Sequence, residues 1–279
     1  MATKLTTRRI EKVWGRHKLS PWFPDAPPDG EPVGEIWFEM PGVPADVPEL
    51  LVKFLFTSEK LSIQVHPDDA AAQAAGHARG KDEAWLVLDA EPDATIGLGL
   101  TRDATREELR AGALDGSIEA LVDWRPVKAG DIFYSPAGTV HALGPGLAIV
   151  EVQQNVDLTY RLHDYGRPRE LHLDAGVAVS DPVPFTRVDA PRDLGGGRTQ
   201  VVDGPAFRME RWRGGGDAEI AGPAWVTVLA GHGSCDGETY KSGEVWHSDG
   251  VSRWQRSEDS DLLVAYPRIA SANGCAVTG

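Results

Sequence analysis

Four segments of this 279-residue chain carry side chains suited to a metal centre and to acid–base chemistry beside it. In Leu61-Ser-Ile-Gln-Val-His66 the apolar Leu61, Ile63 and Val65 alternate with Ser62, Gln64 and His66. Successive side chains of a strand point to opposite faces, so the three polar groups share one face and the aliphatics the other. An amide oxygen and an imidazole two residues apart make half of a metal site, although the pattern also fits a half-exposed edge strand. Glu83 opens a second β-like run and shares its parity with Lys81, so both are expected to face one cavity. Alone it reads as a surface carboxylate; between two histidine strands it becomes the natural anionic ligand. Gly130-x5-Pro136-x-Gly138-x2-His141 is a strand, a tight turn and a strand that delivers a histidine, and the turn fixes where His141 points. One carboxylate with two neutral imidazoles leaves a divalent ion net positive, suited to polarising a carbonyl or alkoxide oxygen. In the fourth segment Glu151 and Gln153 share one strand face, and Arg161 and His163 share a face of the next. Surface alternation is the simpler reading of Gln153 and His163.

The elements that must position these groups are short. β-like runs at 51–56, 61–66, 84–88, 131–134, 147–153 and 158–163 are separated by turn residues, among 31 glycines and 20 prolines. Many short strands with such punctuation predict a sandwich or barrel rather than a βαβ array. Helix is expected in two places. Asp68 caps an alanine-rich stretch to Ala78, and Thr105-x-x-Glu108 has the capping-box spacing that begins an insertion near 103–123. The predicted organisation is a metal-binding domain over 1–180, a linker over 181–204 rich in Pro, Gly and Asp, and a smaller β-rich domain over 205–279. In the last of these, His232 and His247 read as surface or structural histidines.

Composition narrows the classes. The chain has no apolar run of membrane-spanning length, no secretory leader is visible, and no G-x-G-x-x-G or P-loop unit appears. Cys235 and Cys275 sit in no ligand spacing, so a disulfide framework is not expected and a cytoplasmic location fits. A formal net charge of −14 argues against nucleic acid, yet leaves room for a small phosphorylated substrate held by a few local cations.

The Gly130–His141 spacing is that of the second cupin motif, with Gly144-Pro145 where the pattern often continues to Asn. Leu61-Ser-Ile-Gln-Val-His-Pro-Asp-Asp69, Gly80-Lys-Asp-Glu-Ala-Trp85, Pro136-Ala-Gly-Thr-Val-His-Ala-Leu-Gly144 and Tyr160-Arg-Leu-His-Asp-Tyr-Gly-Arg167 together resemble the type I mannose-6-phosphate isomerases. Weaker echoes are Val13-Trp-Gly15 and Gly34-Glu-Ile-Trp37, and the resemblance covers roughly residues 10–175. It implies an all-β fold: a cupin, or jelly-roll, barrel with minor inserted helices, followed by a degenerate second barrel. It implies one Zn2+ held by Gln64, His66, Glu83 and His141, although other divalent metals fit the same donors. It places substrate-site cations and a hydroxyl at Lys53, Lys81, Arg161 and Ser62, a basic group at Arg167 and an acidic pocket residue at Glu151. The activity implied is interconversion of mannose 6-phosphate and fructose 6-phosphate through a cis-enediol. Lys81 and Arg161 then supply positive charge, Arg161 and Arg167 hold the phosphate, and Glu151 moves the proton. Asp82 stands where the family commonly has Thr or Pro, and is expected to add negative charge beside the pocket; His163 replaces a frequent Tyr or Val. Two alternatives stay open: a sugar-binding or regulatory cupin without turnover, and an isomerase of another sugar. A metal-dependent oxygenase is disfavoured because Gln64 stands in place of a His-x-His pair.

Overall fold

The computed structural model describes residues 1–24 and 30–268. Four antiparallel sheets stack face to face, and the cavity that holds the candidate site lies between the first two. The outer of these has five strands in the order β12 (Tyr160–His163), β5 (Ile63–Val65), β10 (His141–Leu143), β7 (Thr95–Leu100), β8 (Val122–Pro126). Its partner has six: β2 (Thr6–Arg16), β3 (Val33–Glu39), β4 (Leu50–Phe56), β11 (Leu147–Gln154), β6 (Glu83–Ala90) and β9 (Ile132–Ser135). Together they form the cupin barrel.

Strand parity explains how the central strands of these two sheets bury both faces. Along β4, Val52, Phe54 and Phe56 pack outward against Trp225, Phe207 and Met209 from the later part of the chain. The intervening Lys53 and Leu55 face the barrel interior, where Lys53 lines the cavity and Leu55 joins an apolar plug with Trp85, Val87, Leu98 and Ile149. On β5, Ile63 and Val65 pack on the helical layer with Leu109, Ala113 and Leu162, which frees Gln64 to face inward. That layer consists of α2 (Arg106–Asp115), α3 (Ile118–Leu121) and α4 (Leu173–Val179), preceded in the chain by α1 (Asp69–Ala74). The capping box of Thr105 and Glu108 is present at the start of α2, and Asp68 caps α1 by accepting the Ala71 N–H at 2.8 Å.

The second pair of sheets is the degenerate barrel. Its seven-stranded sheet contains β1 (Ala2–Lys4), β13 (Arg192–Gly195), β14 (Arg198–Asp203), β15 (Phe207–Arg213) and the strands Ala224–Ala230, Val245–Ser248 and Asp261–Pro267. Two expectations about organisation need correction. The stretch 181–204, expected as a linker, contributes β13 and β14 to this sheet, because Thr199 and Gln200 pair with Arg211 and Glu210 across a hairpin. The N-terminal residues do not stay with the first barrel: Ala2, Thr3 and Lys4 pair with Ser248, His247 and Trp246. His247 packs against Trp225, with ring centres 4.5 Å apart and planes tilted by 57°. Cys235 is buried and free, whereas Cys275 and the end of the range 205–279 lie outside the described residues. None of the helices in the described residues is long and apolar enough to cross a membrane.

Candidate metal centre

Two cross-strand rows face each other across the barrel. On the five-stranded sheet Arg161, Gln64 and His141 are register partners. On the six-stranded sheet one row runs Trp37, Lys53, Glu151, Trp85, and the neighbouring row pairs Gln153 with Glu83. His66, just past the end of β5, completes the set. One ligand atom each from His66, Glu83 and His141 lies within 4.8 Å of the others, and all three residues are buried.

The proton positions on the imidazoles are settled by the backbone. His66 Nδ1 lies 3.0 Å from the Leu158 carbonyl and His141 Nδ1 lies 2.9 Å from the Thr139 carbonyl, so each Nδ1–H donates outward. Each Nε2 is left as a lone pair aimed at the centre, the orientation that metal-ligating histidines adopt. Burial keeps both rings neutral, drawing His66 down to about 3 with the help of the Lys81 charge, and lowering His141 as well. Glu83 behaves in the opposite way: burial favours its neutral form, yet the Lys81 ammonium, with Nζ 3.1 Å from Oε1, holds its carboxyl well below the usual range.

These groups fit a divalent cation. Glu83 Oε1 stands 3.2 Å from His66 Nε2 and Oε2 stands 3.5 Å from His141 Nε2, so acceptor faces acceptor. His66 Nε2 and Glu83 Oε2 are buried without a hydrogen-bond partner, which is costly unless a cation satisfies both. Gln64 Nε2 lies 3.3 Å from His141 Nε2, and a half-turn of this amide presents Oε1 to the same point. The donor set of two imidazole nitrogens, a carboxylate and an amide oxygen suits zinc.

The cavity beside the centre has a volume of about 260 Å³ and is lined by Ser62, Gln64, Lys81, Glu83, His141, Lys53, Glu151 and Arg161, among others. Ser62 Oγ donates to Gln64 Oε1 at 3.2 Å. Glu151 is held at both oxygens, by Lys53 Nζ at 3.0 Å and by the Trp85 indole N–H at 3.0 Å. Burial, reinforced by the charge of Glu83, raises its pKa above the ordinary carboxylate value against the pull of Lys53. Lys53 itself is raised, because Glu151 and Glu35 outweigh the cost of burying it. Arg161 donates from Nη1 to the Glu170 carbonyl at 2.8 Å, while its buried Nε has no partner.

One expected pocket residue lies elsewhere. Arg167 does not line the cavity; its guanidinium pairs with Glu59 at 2.8 Å and Asp164 at 3.2 Å and donates to the Lys60 carbonyl. Arg169 lines the cavity instead, fixed by two 2.6 Å bonds to Asp164. The cause is the turn after β12, where Tyr165 and Gly166 both have positive φ (53° and 78°) and strand parity no longer applies. Asp82, expected beside the pocket, does not line the cavity; it accepts the Tyr134 hydroxyl and the Ala137 N–H. Gln153 is buried rather than on the surface, donating to the Gln154 and Val156 carbonyls. Sequence reasoning missed Lys12, Glu35, Trp37 and Arg169 as lining residues. The one available signal was Gly34-Glu-Ile-Trp37, whose Glu35 and Trp37 share a face.

No protein-family model matches the chain. It is 32% identical to a mannose-6-phosphate isomerase of Streptococcus mutans over 94% of this chain and 97% of that protein. It is 34% identical to a probable mannose-6-phosphate isomerase of Bacillus subtilis, over 74% of this chain and 69% of that one. Among solved structures, the crystal structure of mannose 6-phosphate isomerase from Bacillus subtilis superposes with a TM-score of 0.81 at 29% identity, covering 95% of this chain and 99% of that one. A zinc-bound mannose 6-phosphate isomerase shares the fold, with a TM-score of 0.72 at 17% identity over 96% of this chain and 100% of that one. With its ligand geometry, its stacked barrels and a near full-length relative in agreement, this chain belongs to the mannose-6-phosphate isomerase family of enzymes.

Proposed function

We propose that this chain interconverts mannose 6-phosphate and fructose 6-phosphate, with a zinc ion held by Gln64, His66, Glu83 and His141. The observation that carries the reading is the convergence of three buried ligands on one point, with orphaned acceptor atoms, beside a cavity that also holds Glu151 and Lys81. A zinc ion there supplies Lewis-acid stabilisation of the oxygen on which charge develops as C1 and C2 exchange a proton.

The chain's own groups do the rest. Glu151 is the proton-transfer residue: it takes the proton from one carbon and returns it to the other through a cis-enediol, while the hydroxyl proton passes from one of the two oxygens to the other. Its raised pKa supports that role, since a carboxylate held above its ordinary value takes up a proton more readily. Lys53 and Trp85 fix the two carboxylate oxygens, so its direction of attack is set before substrate arrives. Lys81 adds a positive charge close to the reacting oxygens, and Ser62 Oγ, next to the Gln64 amide, accepts from its Nε2 once the half-turn brings Oε1 to the metal. Arg161 and Arg169, both at the cavity wall, form the cationic end suited to a phosphate dianion, the role first assigned to Arg161 with Arg167. Burial and the neighbouring Arg169 charge lower the pKa of Arg161, a like-charge strain that an anion relieves.

The decisive experiment is a coupled assay of mannose 6-phosphate conversion on metal-stripped and zinc-reloaded protein. Turnover is expected only after reloading. Absence of turnover on either sugar phosphate with zinc bound overturns the reading.

A further inference from the structure

Asp82 and Tyr134 form a buried pair that the chemistry above does not use. Asp82 is 7% exposed and Tyr134 is 1% exposed, and the Tyr134 hydroxyl donates to Asp82 Oδ2. The other carboxylate oxygen accepts the Ala137 N–H at 2.8 Å. Ala137 is the middle of the Pro136-Ala-Gly138 turn that leads into His141, and Asp82 immediately precedes Glu83. One carboxylate therefore ties the strand of one expected ligand to the turn that aims another. The same turn reaches a third, because the Gly138 N–H donates to the backbone carbonyl of His66 at 2.8 Å.

Tyr134 extends this link to the far barrel. The Ala206 N–H lies 3.4 Å from its hydroxyl, and the Phe207 ring lies 5.2 Å from its ring centre. The Arg187 guanidinium covers its face at 4.5 Å and is itself held by Asp189 and by the Asp203 carbonyl. Gly204 presses so closely that a Cβ there would lie 2.2 Å from the ring. A tyrosine clamped on this many sides holds its hydroxyl at one point, and the hydroxyl holds Asp82.

We infer that Asp82 and Tyr134 are positioning residues that set the metal affinity of the centre and make it depend on docking of the second barrel. The inference rests on the metal reading above. Groups that orient ligands without touching the ion carry a measurable share of its affinity. The test is zinc affinity, measured by competition with a chromogenic chelator on Asp82→Ala, Asp82→Asn and Tyr134→Phe, with melting temperatures of the metal-free forms alongside. Asp82→Ala and Tyr134→Phe are expected to weaken zinc binding by about 10- to 100-fold, with kcat at saturating zinc close to the parent value. Asp82→Asn keeps an acceptor for the Ala137 N–H and a polar partner for Tyr134, and restores most of the affinity. Tyr134→Phe preserves the packed ring, so it decides the matter if Asp82→Ala fails to fold. Parent-like zinc affinity in Tyr134→Phe, whatever its melting temperature, overturns the inference. A parent that takes up no zinc overturns the metal reading and the inference together. A parent that binds zinc without isomerising sugar phosphates removes only the functional reading, and the variant affinities still decide the inference.

Discussion

At the scale of single residues, the site is built from charges whose environments push them apart. Glu83 and Glu151 sit on adjacent rows of one sheet, yet the Lys81 charge keeps the first ionised against the cost of its burial, while burial near that first charge resists ionisation of the second. Such a split suits the roles proposed for them, metal ligand and proton carrier. Glu151→Gln removes the proton acceptor while keeping the hydrogen bond from Trp85. It is expected to lower kcat by at least about 100-fold with zinc still bound, as read by steady-state kinetics beside metal analysis. Near-parent kcat in this variant assigns the proton transfer to another group. Strand parity made Gln64, Glu83, Glu151 and Arg161 legible, because a period of two needs no knowledge of the partner strand. It was silent about Asp82, whose even-numbered position says only that it faces away from Glu83. Its partner Tyr134 becomes visible only once β6 pairs with β9.

At the scale of elements, the Pro136–Gly138 turn ties together the backbone around the proposed ligands His66, Glu83 and His141. Gly138 adopts φ +87°, a conformation disfavoured for any residue with a Cβ. Its N–H is committed to the His66 carbonyl and its own carbonyl accepts the Asp181 N–H at 2.8 Å. A methyl group there would also meet the Asp181 carboxylate at 2.7 Å, although that side chain is able to swing aside. Gly138→Ala is therefore expected to cost about 1–2 kcal/mol from the backbone alone. It should weaken zinc retention through displacement of His141, measured as a lower melting temperature and faster loss of metal to a chelator. Unchanged values for both remove the turn from the account. The turn was legible as a motif with mechanical content. The loop after β12 was not, since two consecutive positive-φ residues carry Arg167 out to Glu59 and bring Arg169 to the cavity.

At the scale of the whole molecule, stability and metal binding share buried groups. His66 ionises near its ordinary value in the unfolded chain but at about 3 in the fold, so the unfolded state takes up the proton first as pH falls. Its contribution is complete above pH 6.5 and is lost between there and about 3, amounting to roughly 3 kcal/mol of the metal-free protein's stability by pH 4. Denaturant titrations of the metal-free chain at stepped pH are expected to show this slope, and to show it flattened in His66→Gln. A flat profile in the parent would falsify the buried neutral imidazole. The stacked barrels themselves follow from apolar runs such as Leu50–Phe56 and Leu147–Gln154, buried on both faces and so destined for the middle of a stack. What the amino-acid sequence determined alone was the local content: all-β strands of alternating parity, the capped helices, and which polar side chains share a strand face. Only the tertiary structure decided that β1 joins the far sheet, that 192–203 forms strands rather than a linker, and that ligands from two facing sheets meet at one point. Periodicity is a property of neighbours along the chain. Pairings such as Ala2 with Ser248, or His141 with Gln64, are chosen by which faces must be buried together, and no local pattern records that choice.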